Sequence, residues 1–329
     1  DEHALHSHDC ASTLVSKFLE NKRFGIEEYV IKAVCAIRQQ QLLFNPSENS
    51  DQFDKQFHAC IQDLIAVESF YKAIGGVIGY QRCVLDLLNN QKQKKQQASF
   101  ALYPPKTIDL SRSTLALRKA IIEGIQRQDK VAEFYPVGGV ADRLQLKDQK
   151  TFEALPAASL IFLGKSLLKL LMLDLQAREY LHYKLFHKQV LSPVVMMTSN
   201  ANNNYEHIKE ICEKNGWFGR TEASFKLLVQ PSVPTFTKEG TWCLKSPMTP
   251  LLKPGGHGVI WKLADQSAVF KWLENIGKKK ILVRQINNPM AGIDNGLFAF
   301  LGIGHLKNKD FGFACCPRLA HTKEGMNVL

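Results

Sequence analysis

No run of about 18 apolar residues, the length a helix needs to cross a bilayer, occurs in this 329-residue chain. A membrane-spanning helix is therefore excluded, and no membrane partner is expected. The start, Asp1-Glu2-His3, has acids and a histidine where a signal peptide needs a basic and then an apolar segment. Paired CxxC spacing is missing among the eight cysteines. The neighbours Cys315 and Cys316 cannot easily share one tetrahedral metal. Acidic residues are scarce, 31 against 42 Lys and Arg, which leaves a net charge of +11. The densest basic runs, 91–97 and Lys278-Lys279-Lys280, lack the interleaved aromatics on which single-stranded nucleic acids stack. The charge then suits small anionic ligands rather than nucleic acid, and the chain reads as soluble and cytoplasmic, with reduced, mostly buried thiols.

Apolar residues recur at helical spacing from Ala11 to about Asn90, with Gly75-Gly76 ending or bending one helix. A Gln/Lys tract at 91–97 and Pro104-Pro105 follow, and a boundary in that composition break separates a helical region, 1–100, from a second domain, 101–329. There the pattern changes to short apolar runs alternating with helical ones. Strands are expected at Ala132–Val137, Val190–Thr198, Phe225–Val229 and Ile281–Gln285. Helices are expected at Ser166–Tyr183, Glu206–Asn215 and Ala268–Ile276, with Ser166 capping the first of them. Such alternation implies right-handed crossovers and a mostly parallel sheet with helices on both faces. Ligands then bind outside the carboxyl ends of the strands.

At one such end stands Phe134-Tyr135-Pro136-Val137-Gly138-Gly139, with Arg143 four residues on. Two glycines remove the Cβ atoms that would hold a ligand off the backbone, and an arginine fork can grip phosphate oxygens. A tight turn with a surface arginine is the plain alternative. The spacing is not GxGxxG, and Gly164-Lys165-Ser166 is not a P-loop, since Ser159 stands where the first glycine should be. Lys253-Pro254-Gly255-Gly256-His257-Gly258 could let a ligand lie on main chain within reach of an imidazole, or be a mobile loop. Met196-Met197-Thr198-Ser199 exits into Asn202-Asn203-Asn204, a weak polar signal. Asp294-Asn295 could be magnesium ligands or a turn, and His3, His6 and His8 read as a terminal tail.

Taken in order, these segments resemble the UDP-sugar pyrophosphorylase superfamily. The glycine loop is similar to its GGxGxRxG signature and Met196–Ser199 to its MTS strand end. Trp217-Phe218-Gly219 with Gln230 and Pro234 is similar to its yFG…Q…lP pattern. The segment from Lys253 to Leu263 resembles the PxGHGD loop, and Glu324–Leu329 the EGxxnVL strand. Leu155-Pro156-Ala157-Ala158 and Asp174-Leu175-Gln176-Ala177-Arg178-Glu179 place the likeness nearest the plastid-type UDP-glucose pyrophosphorylase branch and its bacterial relatives.

The resemblance implies a Rossmann-like nucleotidyltransferase (GT-A-like) fold and uridylyl transfer from UTP to glucose 1-phosphate with Mg²⁺. N-acetylglucosamine 1-phosphate is an alternative acceptor, and a non-catalytic nucleotide-sugar binder an alternative role. By the same resemblance the nucleotide falls to Gly138, Gly139, Met197, Gln230 and Gly256. The triphosphate falls to Arg143, and the sugar phosphate to His257 and Asn288. The location would be the plastid stroma if the source is a plant. Departures from the family pattern are Ala141 and Gln145 for glycines, Ala157 for a phosphate-neutralising lysine, Val259 for the loop aspartate and Asn287 for a metal-binding aspartate. The family continues past EGxxnVL, so the domain is expected to be incomplete at Leu329.

Overall fold

The computed structural model describes residues 25–43, 50–93, 103, 106–139, 144–288 and 294–316. It divides into two compact units: Asp1–Ala98 with Pro231–Gly255, and Ser99–Gln230 with Gly256–Leu329. The segment 231–255, which the sequence pattern placed wholly in the second domain, thus belongs with the helical first unit.

In the first unit the helices are α1 (Ile26–Ala36), α2 (Ser50–Tyr71) and α3 (Gly76–Gln93). Gly75, left-handed at φ 99°, ends the short 3₁₀ turn between α2 and α3, as the Gly-Gly pair led one to expect. Val30, Ile31, Val34, Ile61, Leu64 and Trp242 sit in one core. Its polar interior is closed by side-chain amides. Gln39 Oε1 accepts from Trp242 N at 2.9 Å, Gln81 Oε1 accepts from the indole at 2.6 Å, and Gln81 Nε2 donates to Gly240 O at 2.8 Å. Buried amides paired in this way fix the Pro231–Gly255 excursion on this core.

The second unit holds helix α4 (Leu115–Gln126) and strand β1 (Val131–Pro136), then α5 (Leu167–Phe186) and β2 (Val194–Ser199). After these come α6 (Asn204–Lys214) and β3 (Phe225–Gln230). The unit closes with α7 (Val259–Gln266), α8 (Val269–Asn275), β4 (Lys280–Val283) and α9 (Asn295–Leu306). Sheet order is β4-β1-β2-β3, every pair parallel. Residues of β1 and β2 are buried throughout, as a parallel sheet covered on both faces requires. Alternation sorts them. Ala132, Phe134, Val195 and Met197 pack with Ile260, Ala264 and Leu273 of α7 and α8. Tyr135, Val194 and Met196 pack with Leu168, Leu171 and Ile208 of α5 and α6. The parallel sheet with helices on both faces, preceded by a helical region, that the sequence led one to expect is the observed fold.

Ser166 caps α5, its Oγ accepting from Lys169 N at 3.3 Å. Strand β2 begins at Val194 rather than Val190, because Pro193 precedes it and has no N–H to give the ladder. Among the described residues no helix is long and apolar enough to cross a membrane.

Candidate functional site

The chain order β1-β2-β3 runs outward on one side of β1, and β4 returns to its other side. The order therefore reverses between β1 and β4. A crevice at the carboxyl ends of such strands is where open α/β sheets take ligands.

Beyond β1 the backbone crosses to its neighbour, Val137 N donating to Met197 O at 2.9 Å. Gly138 follows in a place with no room for a side chain. A Cβ there would stand 2.4 Å from Gln230 Nε2 and 2.6 Å from the Thr198 carbonyl. Gln230, buried at the end of β3, donates from Nε2 to Gly138 O at 3.0 Å and accepts from Gly256 N at 3.2 Å through Oε1. One carboxamide thus ties the two glycine loops together. Around Gly139, Gly256 and Gly258 a Cβ would meet nothing within 4 Å, so the bare backbone of both loops faces open space. Gly256 has φ 97°, a conformation that glycine alone adopts cheaply.

Gly138, Gly139, Gln230 and Gly256, all expected from the sequence, are therefore gathered at one end of the sheet. Met197 reaches the same strand end, but its side chain is 0% exposed and lies in the apolar layer under α7. His257 is exposed in the loop entering α7, and Asn288 is exposed beyond β4. Arg143, together with Ala141 and the Glu324–Leu329 segment, lies outside the described residues. Asp294 caps α9, its Oδ1 accepting from Gly296 N at 2.9 Å, which is the turn reading of Asp294-Asn295. Ala157 opens a 3₁₀ turn and packs against the α5 cluster.

Asn204, named in the sequence only as part of a weak polar exit after Ser199, is a further neighbour of the site. Only 2% exposed, it donates from Nδ2 to Val137 O and accepts from Ser199 N through Oδ1, both at 3.0 Å. Its signal in the sequence is the asparagine triplet straight after β2.

The Asp174–Glu179 motif belongs to the scaffold. Glu133, 0% exposed in β1, is paired with Arg178 and accepts from the Tyr135 hydroxyl. Arg178 also reaches Asp174 at 3.2 Å, and Asp174 pairs with Arg284 at the end of β4. Glu179 pairs with Arg220 at 2.6 Å and accepts from Ser192 N at 2.7 Å. Gln176 donates to Phe218 O at 2.6 Å, which ties a left-handed Trp217-Phe218 turn to α5. Burial, seconded by the Glu133 charge, pushes the Tyr135 phenol well above its ordinary range. Burial likewise lifts the Glu179 carboxyl against the pull of Arg220. Burial opposes the Arg178 charge, but Glu133 and Asp174 outweigh it and hold the guanidinium above its usual value. Paired charges of this kind lock α5 onto β1 and β4, since removing one partner strands the other in the core.

Comparison with known proteins gives the geometry its context. A family model described as UTP--glucose-1-phosphate uridylyltransferase matches residues 159–328. The UTP--glucose-1-phosphate uridylyltransferase 3, chloroplastic, of Arabidopsis thaliana is 43% identical over 286 residues, 83% of this chain and 32% of that protein. The chain thus spans about a third of that relative's length. Among solved structures, the UDP-N-acetylglucosamine pyrophosphorylase of Trypanosoma brucei in complex with inhibitor aligns with TM-score 0.63 at 15% identity, over 87% of this chain and 55% of that one. A putative UDP-N-acetylglucosamine pyrophosphorylase of Entamoeba histolytica aligns with TM-score 0.53 at 18% identity, over 63% and 50%. These two structural likenesses speak to the fold.

Proposed function

The chain belongs to the UTP--glucose-1-phosphate uridylyltransferase family, and we propose that its cradle binds UTP and transfers the uridylyl group to glucose 1-phosphate. The observation that carries this reading is the Gln230 bridge between Gly138 and Gly256. A carboxamide has two N–H donors and two acceptor lone pairs. The bridge uses one of each and leaves one of each for a base. Uracil offers a carbonyl oxygen and the N3–H, which match that pair, whereas cytosine has no N3–H to give.

With the base at Gln230 and the backbone of Gly139 and Gly256 along the nucleotide, the phosphates extend over the β1 carboxyl end. Arg143 holds the triphosphate in this reading, and His257 and Asn288 hold the sugar phosphate. A phosphate oxygen of glucose 1-phosphate attacks the α-phosphorus in line. The bond to the leaving pyrophosphate breaks, and UDP-glucose forms. Catalysis of this type is alignment and charge stabilisation. Among the described residues no three His, Cys, Asp or Glu side chains cluster to hold a metal ion. Mg²⁺ in this reading would be held chiefly by the phosphate oxygens of the nucleotide, whose charge it would neutralise, rather than by an all-protein cage. The Arabidopsis relative is named chloroplastic, and we place this protein by likeness in the plastid stroma, or in the cytoplasm of a source without plastids.

One second reading is a uridine-nucleotide binder without turnover: Ala157, packed into the α5 cluster, stands where the superfamily pattern has a phosphate-neutralising lysine, an alanine that the plastid-type branch it resembles shares. A coupled assay of pyrophosphate release with UTP, Mg²⁺ and glucose 1-phosphate, run beside UTP-dependent melting, separates the two. Turnover together with a higher Tm is the expected result. A higher Tm without turnover overturns the transferase, and neither effect overturns both readings. At UTP a hundredfold above Kd, binding adds about 2.7 kcal/mol of stability.

A further inference from the structure

We propose that the Asn202-Asn203-Asn204 run is a positioning device for the Gly138-Gly139 loop, with Asn204 as the residue that aims the Gly138 N–H into the cradle. The consequence for nucleotide binding rests on the UTP reading above. The aiming itself does not.

Three observations carry it. First, Asn202 and Asn203 both adopt left-handed backbone, at φ 51° and 52°, a region that asparagine visits more readily than other side chains. Two such residues in a row turn the chain sharply after β2 and bring Asn204 back over the strand end as the first residue of α6. Second, the Asn204 carboxamide spans the exits of two strands, holding Ser199 N on β2 and Val137 O beyond β1. It does so from a buried position where water does not compete for either bond. Third, the carbonyl it holds belongs to the Val137–Gly138 peptide. In a planar trans peptide the C=O and the N–H point in opposite directions. Anchoring Val137 O toward Asn204 therefore turns the Gly138 N–H away from Asn204.

Gln230 does the same one residue on, since holding Gly138 O sets the direction of the Gly139 N–H. Two carboxamides, from the start of α6 and the end of β3, thus orient two successive backbone donors. Rigid donors aimed before the ligand arrives make binding tighter because nothing has to be ordered on arrival. Asn204 is accordingly a positioning residue, acting through the glycine loop.

The test is Asn204→Asp, which keeps the acceptor for Ser199 N, suits the first turn of a helix and replaces the donor to Val137 O by a carboxylate oxygen that repels it. Asn204→Ala, a good helix former, is the second variant. Hydrogen exchange followed by mass spectrometry on the ligand-free proteins is read first. Expected is faster exchange in peptides covering the β1 exit, 131–139, in both variants, joined in Asn204→Ala by the peptide carrying the Ser199 amide, with α1 to α3 unchanged. Exchange at the β1 exit equal to wild type in a folded variant overturns the proposal, as does a uniform rise over the whole chain. Titration with UTP is read second, with a Kd raised about five- to tenfold, the loss of roughly one buried hydrogen bond. The KM for UTP should rise while the KM for glucose 1-phosphate stays. A wild type that binds no UTP defeats the function reading and leaves the exchange result to decide the positioning. A variant that binds UTP as wild type does defeats the functional role of Asn204 alone.

Discussion

Gly138 and Gly139 are neighbours with opposite constraints, and that contrast separates folding from binding. At Gly138 an added methyl meets the Gln230 amide and the Thr198 backbone. Of these two the strand backbone does not yield. Gly138→Ala is therefore expected to cost about 1–3 kcal/mol, in the range of overpacking, and to displace the amide that joins the loops. At Gly139 the same methyl meets no protein atom within 4 Å. Gly139→Ala should leave stability within about 0.5 kcal/mol, as for an ordinary surface change, yet weaken UTP binding because the methyl enters the ligand's space. Thermal melts and UTP titrations of the two variants check both halves. Equal loss of Tm in both would contradict the assignment of Gly139 to the cradle.

The glycine loops are legible in the sequence as bare backbone at a strand end, and Gln230 only through the family resemblance. The role of Asn204 is not, because its partner Val137 lies 67 positions away and becomes its neighbour only once β1 and β2 pair. For the same reason Glu133 passes unnoticed inside an apolar run, as its cation Arg178 lies 45 positions away.

At the scale of elements, the alternation of short apolar runs is enough to place β1, β2, β3 and β4 within a few residues. Helices α4 and α9 escape that pattern. Helix α9 carries glycines at 296, 302 and 304, each of which weakens a helix by about 1 kcal/mol against alanine. Packing explains one of them. A Cβ on Gly302 would stand 1.8 Å from Ala120 O of α4, and one on Gly124 would stand 2.0 Å from Phe298 O of α9. The helices thus meet backbone to backbone, as small residues allow. Gly302→Ala should push them apart and lower stability by about 1–3 kcal/mol. Gly304, where a Cβ meets nothing within 4 Å, has no such duty, and Gly304→Ala should raise stability by up to about 1 kcal/mol. Denaturant melts of the pair give the sign of each change. A Gly302→Ala protein as stable as wild type would overturn the close-packed crossing.

For the whole molecule, a composition break near residue 100 marks where helical spacing gives way to strands, but it cannot announce that Pro231–Gly255 returns to the first unit. That return is built from Gln39 and Gln81 bonding Gly240 and Trp242 across 159 to 203 positions of sequence, a distance at which no local pattern is visible. In the second unit, parallel pairing, apolar layers on both sheet faces and the buried pairs from α5 to β1 and β4 hold the β1 exit in place. The glycine cradle is the product of that arrangement, and the function proposed for it is recognition of a uridine nucleotide. Isothermal titration of the protein with UTP and with CTP under identical salt and Mg²⁺ tests it most directly. The Gln230 bridge predicts that UTP binds at least about tenfold more tightly, the worth of one to two matched hydrogen bonds. Equal affinity for the two nucleotides, or no binding of either, would contradict it.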